Sequence, residues 1–260
     1  MSPLLFKCDK CNPTSAKFTM TELFNFKENT NLEGFTLIVP SVSVGNVPQL
    51  TVDLLIASLG FKKGATVWHP GIVSSVGPDP YEVNGPEICT ACELYVKEDL
   101  KLALLQLRST IDFKLATKFF DDLKQALLRF KLKSVVILTS SFDYELHVVS
   151  NNKFYYISNQ DVGELMKSIH VQIKEAEFNG KYLVHGSGFA VKLYETLADS
   201  FECIVLIKYV SEGDNRPDAI ATVDVLNKFL DNLSTCSLND IKFPSSWNCV
   251  FGGPPPVGIY

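Results

Sequence analysis

The chain has 260 residues, 46% hydrophobic and 20% charged, which is enough apolar material to bury one large core or two small ones, and we favour one domain. Its formal net charge of −5, with no dense stripe of Lys or Arg, argues against a nucleic-acid binder or a membrane-surface protein. No apolar run approaches the roughly 18 residues of a membrane span, and the start Met1-Ser-Pro-Leu-Leu-Phe-Lys7 lacks a basic, then long apolar, leader pattern. Seven cysteines, an odd number scattered along such a chain, suit a reducing intracellular compartment better than a disulfide framework.

Residues 1–33 are polar, aperiodic and rich in Asn and Thr, and read as a variable N-terminal extension. Regular patterning begins at Gly34-Phe-Thr-Leu-Ile-Val-Pro40, a strand apolar on both faces. In Gly45-Asn46-Val47-Pro48, Gly45 suits a turn, Asn46 a cap and Pro48 a first helical turn, so a buried helix is expected through Leu59 to Gly60. Further strand-length apolar runs lie at 65–68, 93–97, 102–108, 134–139, 153–157, 182–184 and 203–210. Between them, apolar residues at helical spacing mark 114–130, 162–173, 190–197 and 217–233. Strands alternating with helices indicate an α/β fold with a mainly parallel central sheet in one domain, over residues 34–242.

Two glycine loops, Gly45-Asn46-Val47-Pro48 and Gly186-Ser187-Gly188, join strands to helices where backbone N–H groups can hold a phosphate. They keep open a nucleoside- or nucleotide-binding, phosphorylase-like enzyme as the alternative function. Neither loop matches a dinucleotide fingerprint or a P-loop, and no Lys or Arg lies between Gly34 and Phe61 to complete an anion site. A plain strand-to-helix turn is the reading we favour. Ser187 fails as a nucleophile elbow because His185 stands where that motif requires Gly. The pairs Cys8/Cys11 and Cys89/Cys92 leave open a zinc or thiol module, but they are far apart and the second precedes a strand, so free thiols are expected. In the acidic stretch Ser211 to Ala219, Asn215 and Asp218 read as a cap and a first-turn acid flanking Pro217. His69, His147, His170 and His185 show no acid–base or metal spacing. No catalytic, cofactor or metal set assembles.

The C-terminal segment 243–260 leaves the domain as a proline-stiffened strap. Pro254 to Pro256 favour extended polyproline geometry, and the end Val257-Gly258-Ile259-Tyr260 presents apolar area beside a carboxylate, a form suited to a partner's pocket.

Taken together, the segments Gly34 to Leu55, Leu102 to Ser109, Val210 to Ala219, Phe243 to Trp247 and Phe251-Gly-Gly resemble the proteasome assembly chaperone family, with Ser-Val-Gly-Asn-Val and Ser-Glu-Gly-Asp-Asn as its most specific blocks. The resemblance implies a phosphorylase-like α/β fold without catalysis, so residues 34–242 become the chaperone domain. It also implies an obligate heterodimer with proteasome assembly chaperone 1, acting in cytoplasm and nucleus on the α-ring of the 20S proteasome. There the pair promotes ring formation and prevents aberrant ring association. Family members that dock on proteasomes end in a hydrophobic-Tyr-any-residue tail. Here Ile259-Tyr260 closes the chain one residue short, and Val257, Gly258, Ile259 and Tyr260 are the expected partner-binding residues.

Overall fold

Thr36–Pro40 (β2) is buried along its whole length because strands flank it on both sides and helices cover both its faces. The computed structural model describes residues 23–28, 30–83, 85–146, 153–177, 179–230, 233 and 241–249. Around β2 runs a nine-stranded sheet built from Phe24–Phe26 (β1), Lys62–Val67 (β3), Cys92–Lys97 (β6), Leu102–Leu107 (β7), Ser134–Phe142 (β8), Phe154–Ser158 (β9), Gln172–Ile173 (β10) and Glu202–Val210 (β11). Its order is β1-β3-β6-β7-β2-β8-β11-β9-β10. The central strands β7, β2, β8 and β11 are mutually parallel, whereas β6, β3 and β1 on one side and β9 on the other join antiparallel. Val76–Pro78 (β4) and Ile88–Thr90 (β5) pair as a separate antiparallel ribbon.

The helices Val47–Leu59 (α1), Ala116–Arg129 (α2), Gly163–Ser168 (α3), Ala190–Leu197 (α4) and Arg216–Phe229 (α5) complete the fold. On one face α1 packs against α5, closing an apolar layer with Ile38, Leu104, Val136 and Leu206 from the sheet. On the other, α2 packs against α4 over Leu37, Leu105, Val135 and Val205. The alternation of these sheet residues follows the period of two along a strand, so each parallel strand feeds both layers. In α2 the 3.6-residue period puts Phe119, Leu123, Ala126 and Leu127 inward, while Lys118 and Asp122 pair at 2.7 Å across one turn. Helix α1 is buried over most of its surface and stops at Gly60, whose φ of 65° lets its N–H bond to the Ile56 carbonyl.

Several elements differ from the sequence expectation for identifiable reasons. The run 182–184 is not a strand: it crosses over the end of the sheet, where Tyr182 packs edge-on against Tyr194 and the following His185 carbonyl accepts the Ser141 hydroxyl. The helix expected over 162–173 shortens to α3 because His170 turns left-handed, at φ 61°, and Ile173 joins β10. Helix α5 ends at Phe229, since Leu230 is extended. Ahead of Gly34, Phe24–Phe26 adds β1 to the sheet edge, and Phe24 and Phe26 both meet the Phe130 ring.

Candidate functional site

In open α/β sheets ligands bind beyond the C-terminal ends of the parallel strands. Here that edge is formed by the loops after β2 (41–46), β8 (143–146) and β11 (211–215), together with the approach to α4 at 185–189. Gly45, Gly186 and Gly188 all sit there with positive φ. The edge holds the two most specific blocks of the family resemblance, at residues 43–47 and 211–215.

The loops are occupied by one another. A Cβ on Gly45 would collide with the side-chain amide of Asn215, one on Gly186 with Val44 and the Phe142 ring, and one on Gly188 with the Val42 carbonyl. The Val44 N–H donates to the Gly186 carbonyl at 3.2 Å. The hydroxyls are spent in the same way. Ser41 Oγ donates to the Ser187 carbonyl at 2.7 Å and accepts the Phe189 N–H at 3.0 Å. Thr139 Oγ1 donates to the same carbonyl at 2.9 Å, and Ser43 Oγ accepts the Ser140 N–H at 3.0 Å. Groups that would cradle a phosphate elsewhere are here the mortar between loops. Ser187 takes part through its carbonyl, and His185 is exposed.

Asn46 precedes α1 in a left-handed conformation and makes no side-chain capping bond, so the expected cap is positional only. Asn215 also fails to cap α5. Its Nδ2 donates to the Gly213 carbonyl at 3.2 Å, because the side chain is drawn under Gly45. Asp218 stands in the first turn of α5 as expected and lies 3.5 Å from Lys208 Nζ. Nearby, the Ser211 hydroxyl and Lys153 hold the Asp143 carboxyl below its usual range.

Cys89 and Cys92 are buried, and burial raises both thiol pKa values, so neither is a thiolate ready for metal or redox chemistry. Burial, with Asp199 adding to it, likewise pushes Cys203 up to about 12. Cys8, Cys11 and His147 lie outside the described residues. Among the described residues no cluster of His, Cys, Asp or Glu could hold a metal ion, and no helix is long and apolar enough to cross a membrane. His69 is buried; its Nδ1 accepts the Gly71 N–H at 2.9 Å and its Nε2 lies 3.3 Å from Asp122.

A buried polar cluster escapes sequence reasoning altogether. Asp53, in the middle of α1, accepts hydrogen bonds at Oδ1 from Tyr81 Oη (2.6 Å), Gln106 Nε2 (2.7 Å) and Arg108 Nη2 (2.7 Å). Arg108 completes a fork through Nη1 to Oδ2 at 3.2 Å, and its Nη2 also donates to Tyr81 Oη at 2.8 Å. Burial opposes the Arg108 charge, but Asp53 and Tyr81 outweigh it and keep the guanidinium charged. Burial and the Asp53 carboxylate together push the Tyr81 hydroxyl well above its ordinary pKa. The only cue in the sequence is an acid inside an apolar helix and polar residues at the end of an apolar strand.

The C-terminal strap bonds to the two elements on either side of this cluster, α1 and the loop that carries Tyr81. Lys242 N–H donates to Ser58 Oγ at 2.9 Å on α1, while the Ser245 hydroxyl and Ser246 N–H both reach the Pro80 carbonyl at 3.1 Å. Trp247 is 8% exposed within the α1–α5 layer, whereas Phe243 is 56% exposed. A cavity of about 530 Å³ lies beside the strap, lined by Phe61, Lys63, Tyr81, Ile88, Lys242 and Phe243 among others. The expected partner-binding residues Val257, Gly258, Ile259 and Tyr260 lie outside the described residues.

The same chain aligns with known proteins over most of its length. It is 34% identical to proteasome assembly chaperone 2 of Homo sapiens, covering 88% of this chain and 96% of the human protein. With proteasome assembly chaperone 2 of Xenopus tropicalis it shares 30% identity over 87% of this chain and 95% of that protein. Among solved structures, Pyrococcus furiosus PbaA, described as an archaeal homolog of proteasome-assembly chaperone, superposes with a TM-score of 0.60 at 17% identity, covering 78% of this chain and 84% of PbaA. A Thermoplasma acidophilum protein of unknown function superposes at 0.62 with 14% identity, over 88% of both chains. At these identities the structural likeness shows the mixed α/β fold. The PAC2 family model matches residues 37–240, the stretch that carries nearly all of the parallel strands and the five α-helices of the described residues, and the chain belongs to the PAC2 family.

Proposed function

We propose that this protein is a chaperone of 20S proteasome core assembly. The observation that carries the reading is near full-length alignment, with 96% of human proteasome assembly chaperone 2 covered at 34% identity. On this reading the chain works as a heterodimer with proteasome assembly chaperone 1, in cytoplasm and nucleus, promoting α-ring formation and preventing aberrant ring association. Residues 34–242 form the chaperone domain, 1–33 an extension, and 243–260 the strap and docking tail.

The mechanism is binding rather than bond-making. Support comes from the strand-end loops, whose amides, carbonyls and hydroxyls bond to one another where a nucleoside enzyme would hold substrate. Exposed apolar side chains at Val76, Val83, Ile88, Phe113 and Tyr144 supply area for protein partners. In the tail, Val257 and Gly258 would let Ile259 and Tyr260 reach a pocket on the ring, with the carboxylate paired there.

Affinity purification of the tagged full chain from its own cells, followed by mass spectrometry, tests the reading. Proteasome α subunits and a second chaperone should be recovered in stoichiometric amounts. Recovery of neither would overturn it. Deleting Ile259 and Tyr260 should weaken ring binding about 30-fold or more, since burying the ring and pairing the carboxylate supplies roughly 2 to 4 kcal/mol. Unchanged ring affinity would remove the tail from the interface.

A further inference from the structure

The cluster around Asp53 costs stability to bury and touches none of the strand-end loops described above, so its role has to be sought on its other side. Three elements meet in it: α1 through Asp53, the end of β7 through Gln106 and Arg108, and the loop before β5 through Tyr81. That loop has little apolar content of its own to hold it. Asp79 Oδ1 accepts the Tyr81 N–H at 2.8 Å and bends it into a turn, Glu82 is exposed, and Tyr81 is its one aromatic residue. Tyr81 stands edge-on to Tyr95 at 5.7 Å, with the Arg108 guanidinium 5.7 Å from its own ring centre. The residue before it, Pro80, is buried and turns its carbonyl outward to the strap, where it accepts both Ser245 Oγ and Ser246 N–H.

We propose that Asp53, Arg108 and Tyr81 are positioning residues for the C-terminal strap. By locking the Tyr81 ring they fix the Pro80 carbonyl, and that carbonyl seats the 3-10 turn Ser245–Cys249 from which the chain's last residues depart. The proposal deepens the chaperone reading, because a tail that docks loses less entropy when its root is held in one place. The Ser245 and Ser246 bonds converge on one carbonyl, so this part of the anchor is sensitive to small movements. A hydrogen bond weakens steeply as its angle and length leave the ideal range, so a loop displaced by an ångström releases both strap bonds together. The fork geometry also explains the choice of Arg: Nη1 and Nη2 reach both Asp53 oxygens while Nη2 also meets Tyr81 Oη, a two-pronged contact that the point-like ammonium of a lysine does not reproduce. The second strap contact, Lys242 to Ser58, lies near the C-terminal end of α1 and does not pass through the cluster. It serves as an internal reference.

The test is amide hydrogen exchange on the full chain, comparing Tyr81→Phe and Arg108→Lys with the parent. Tyr81→Phe keeps the ring and removes only the hydroxyl. Exchange at the Ser246 amide should rise about tenfold in both variants, while the Leu104 amide in the sheet core changes less than threefold and Lys242 stays within threefold. A Ser246 rate unchanged within twofold would overturn the proposal. So would an equal rise at Ser246 and Leu104, which is the signature of general destabilisation. No proteasome component enters this measurement, so its outcome stands apart from the chaperone reading. A Ser246 effect with no loss of ring binding in the same variants would leave the positioning of the strap as proposed and remove the tail from docking.

Discussion

Asn215 occupies the space that the absent side chain of Gly45 leaves, and the two residues tie the loop after β2 to the loop after β11. Gly45 adds a backbone reason for its identity, a φ of 65°. Gly45→Ala should therefore cost about 2 to 3 kcal/mol, combining left-handed strain with the collision. In an Asn215→Gly background the collision is gone and the same change should cost about 1 kcal/mol. Urea denaturation of all four proteins gives the coupling, and additive costs would show that the two loops do not press on each other.

Breaking the buried ion pair should be expensive, and replacing it cheap. Asp53→Leu alone leaves the Arg108 guanidinium uncompensated and should destabilise by about 3 to 5 kcal/mol. Adding Arg108→Met should recover much of that loss, since both ions leave the interior together. Thermal and denaturant unfolding of the single and double variants decides it; a double variant weaker than both singles would contradict the pairing seen between α1 and β7.

For the strap, burial separates the two aromatic residues of Phe243-Pro-Ser-Ser-Trp247. Trp247 is buried in the α1–α5 layer and Phe243 projects, so Trp247→Ala should cost about 3 kcal/mol and Phe243→Ala under 1 kcal/mol. Limited proteolysis supplies a second readout: cleavage near residue 242 should accelerate in Trp247→Ala and not in Phe243→Ala.

His69 gives the fold a pH dependence whose sign follows from its surroundings. Burial lowers its pKa from 6.5, with Asp122 opposing and Lys118 adding to the effect. The unfolded chain then binds a proton more readily than the folded one, so stability from this residue is full above about pH 6.5 and is lost as pH falls below it. Denaturation midpoints should drop between pH 7 and 5.5, and His69→Gln should flatten that portion of the curve. A profile unchanged by the substitution would mean that His69 titrates alike in both states.

Strands apolar on both faces and helices with a clear 3.6-residue stripe were legible in the sequence: β2, β7, β8 and β11 in the sheet, and α1 and α2 around it. What escaped depends on contacts between distant segments. Phe24-Asn25-Phe26 is too short to announce a strand, and only the open edge of β3 makes it one. Ile173 belongs to an apolar helical pattern until His170 turns left-handed. Asn215 looks like a cap by position, yet its side chain is claimed by Gly45, more than 150 residues away in the chain. The Asp53 cluster has no local signature because Asp53, Tyr81 and Arg108 come from three separate elements. The glycine loops were readable as turns, but whether they held a ligand or one another was a question of three-dimensional packing.

Reconstitution of α-rings tests the central claim most directly. Purified α subunits are mixed with and without this chain and the proposed partner, proteasome assembly chaperone 1, and the products are weighed by native mass spectrometry. Single α-rings should form faster and paired α-rings should be suppressed when the chaperones are present, with the chain found on the single rings. An unchanged rate and an unchanged distribution of single and paired rings, with no chaperone bound, would contradict it.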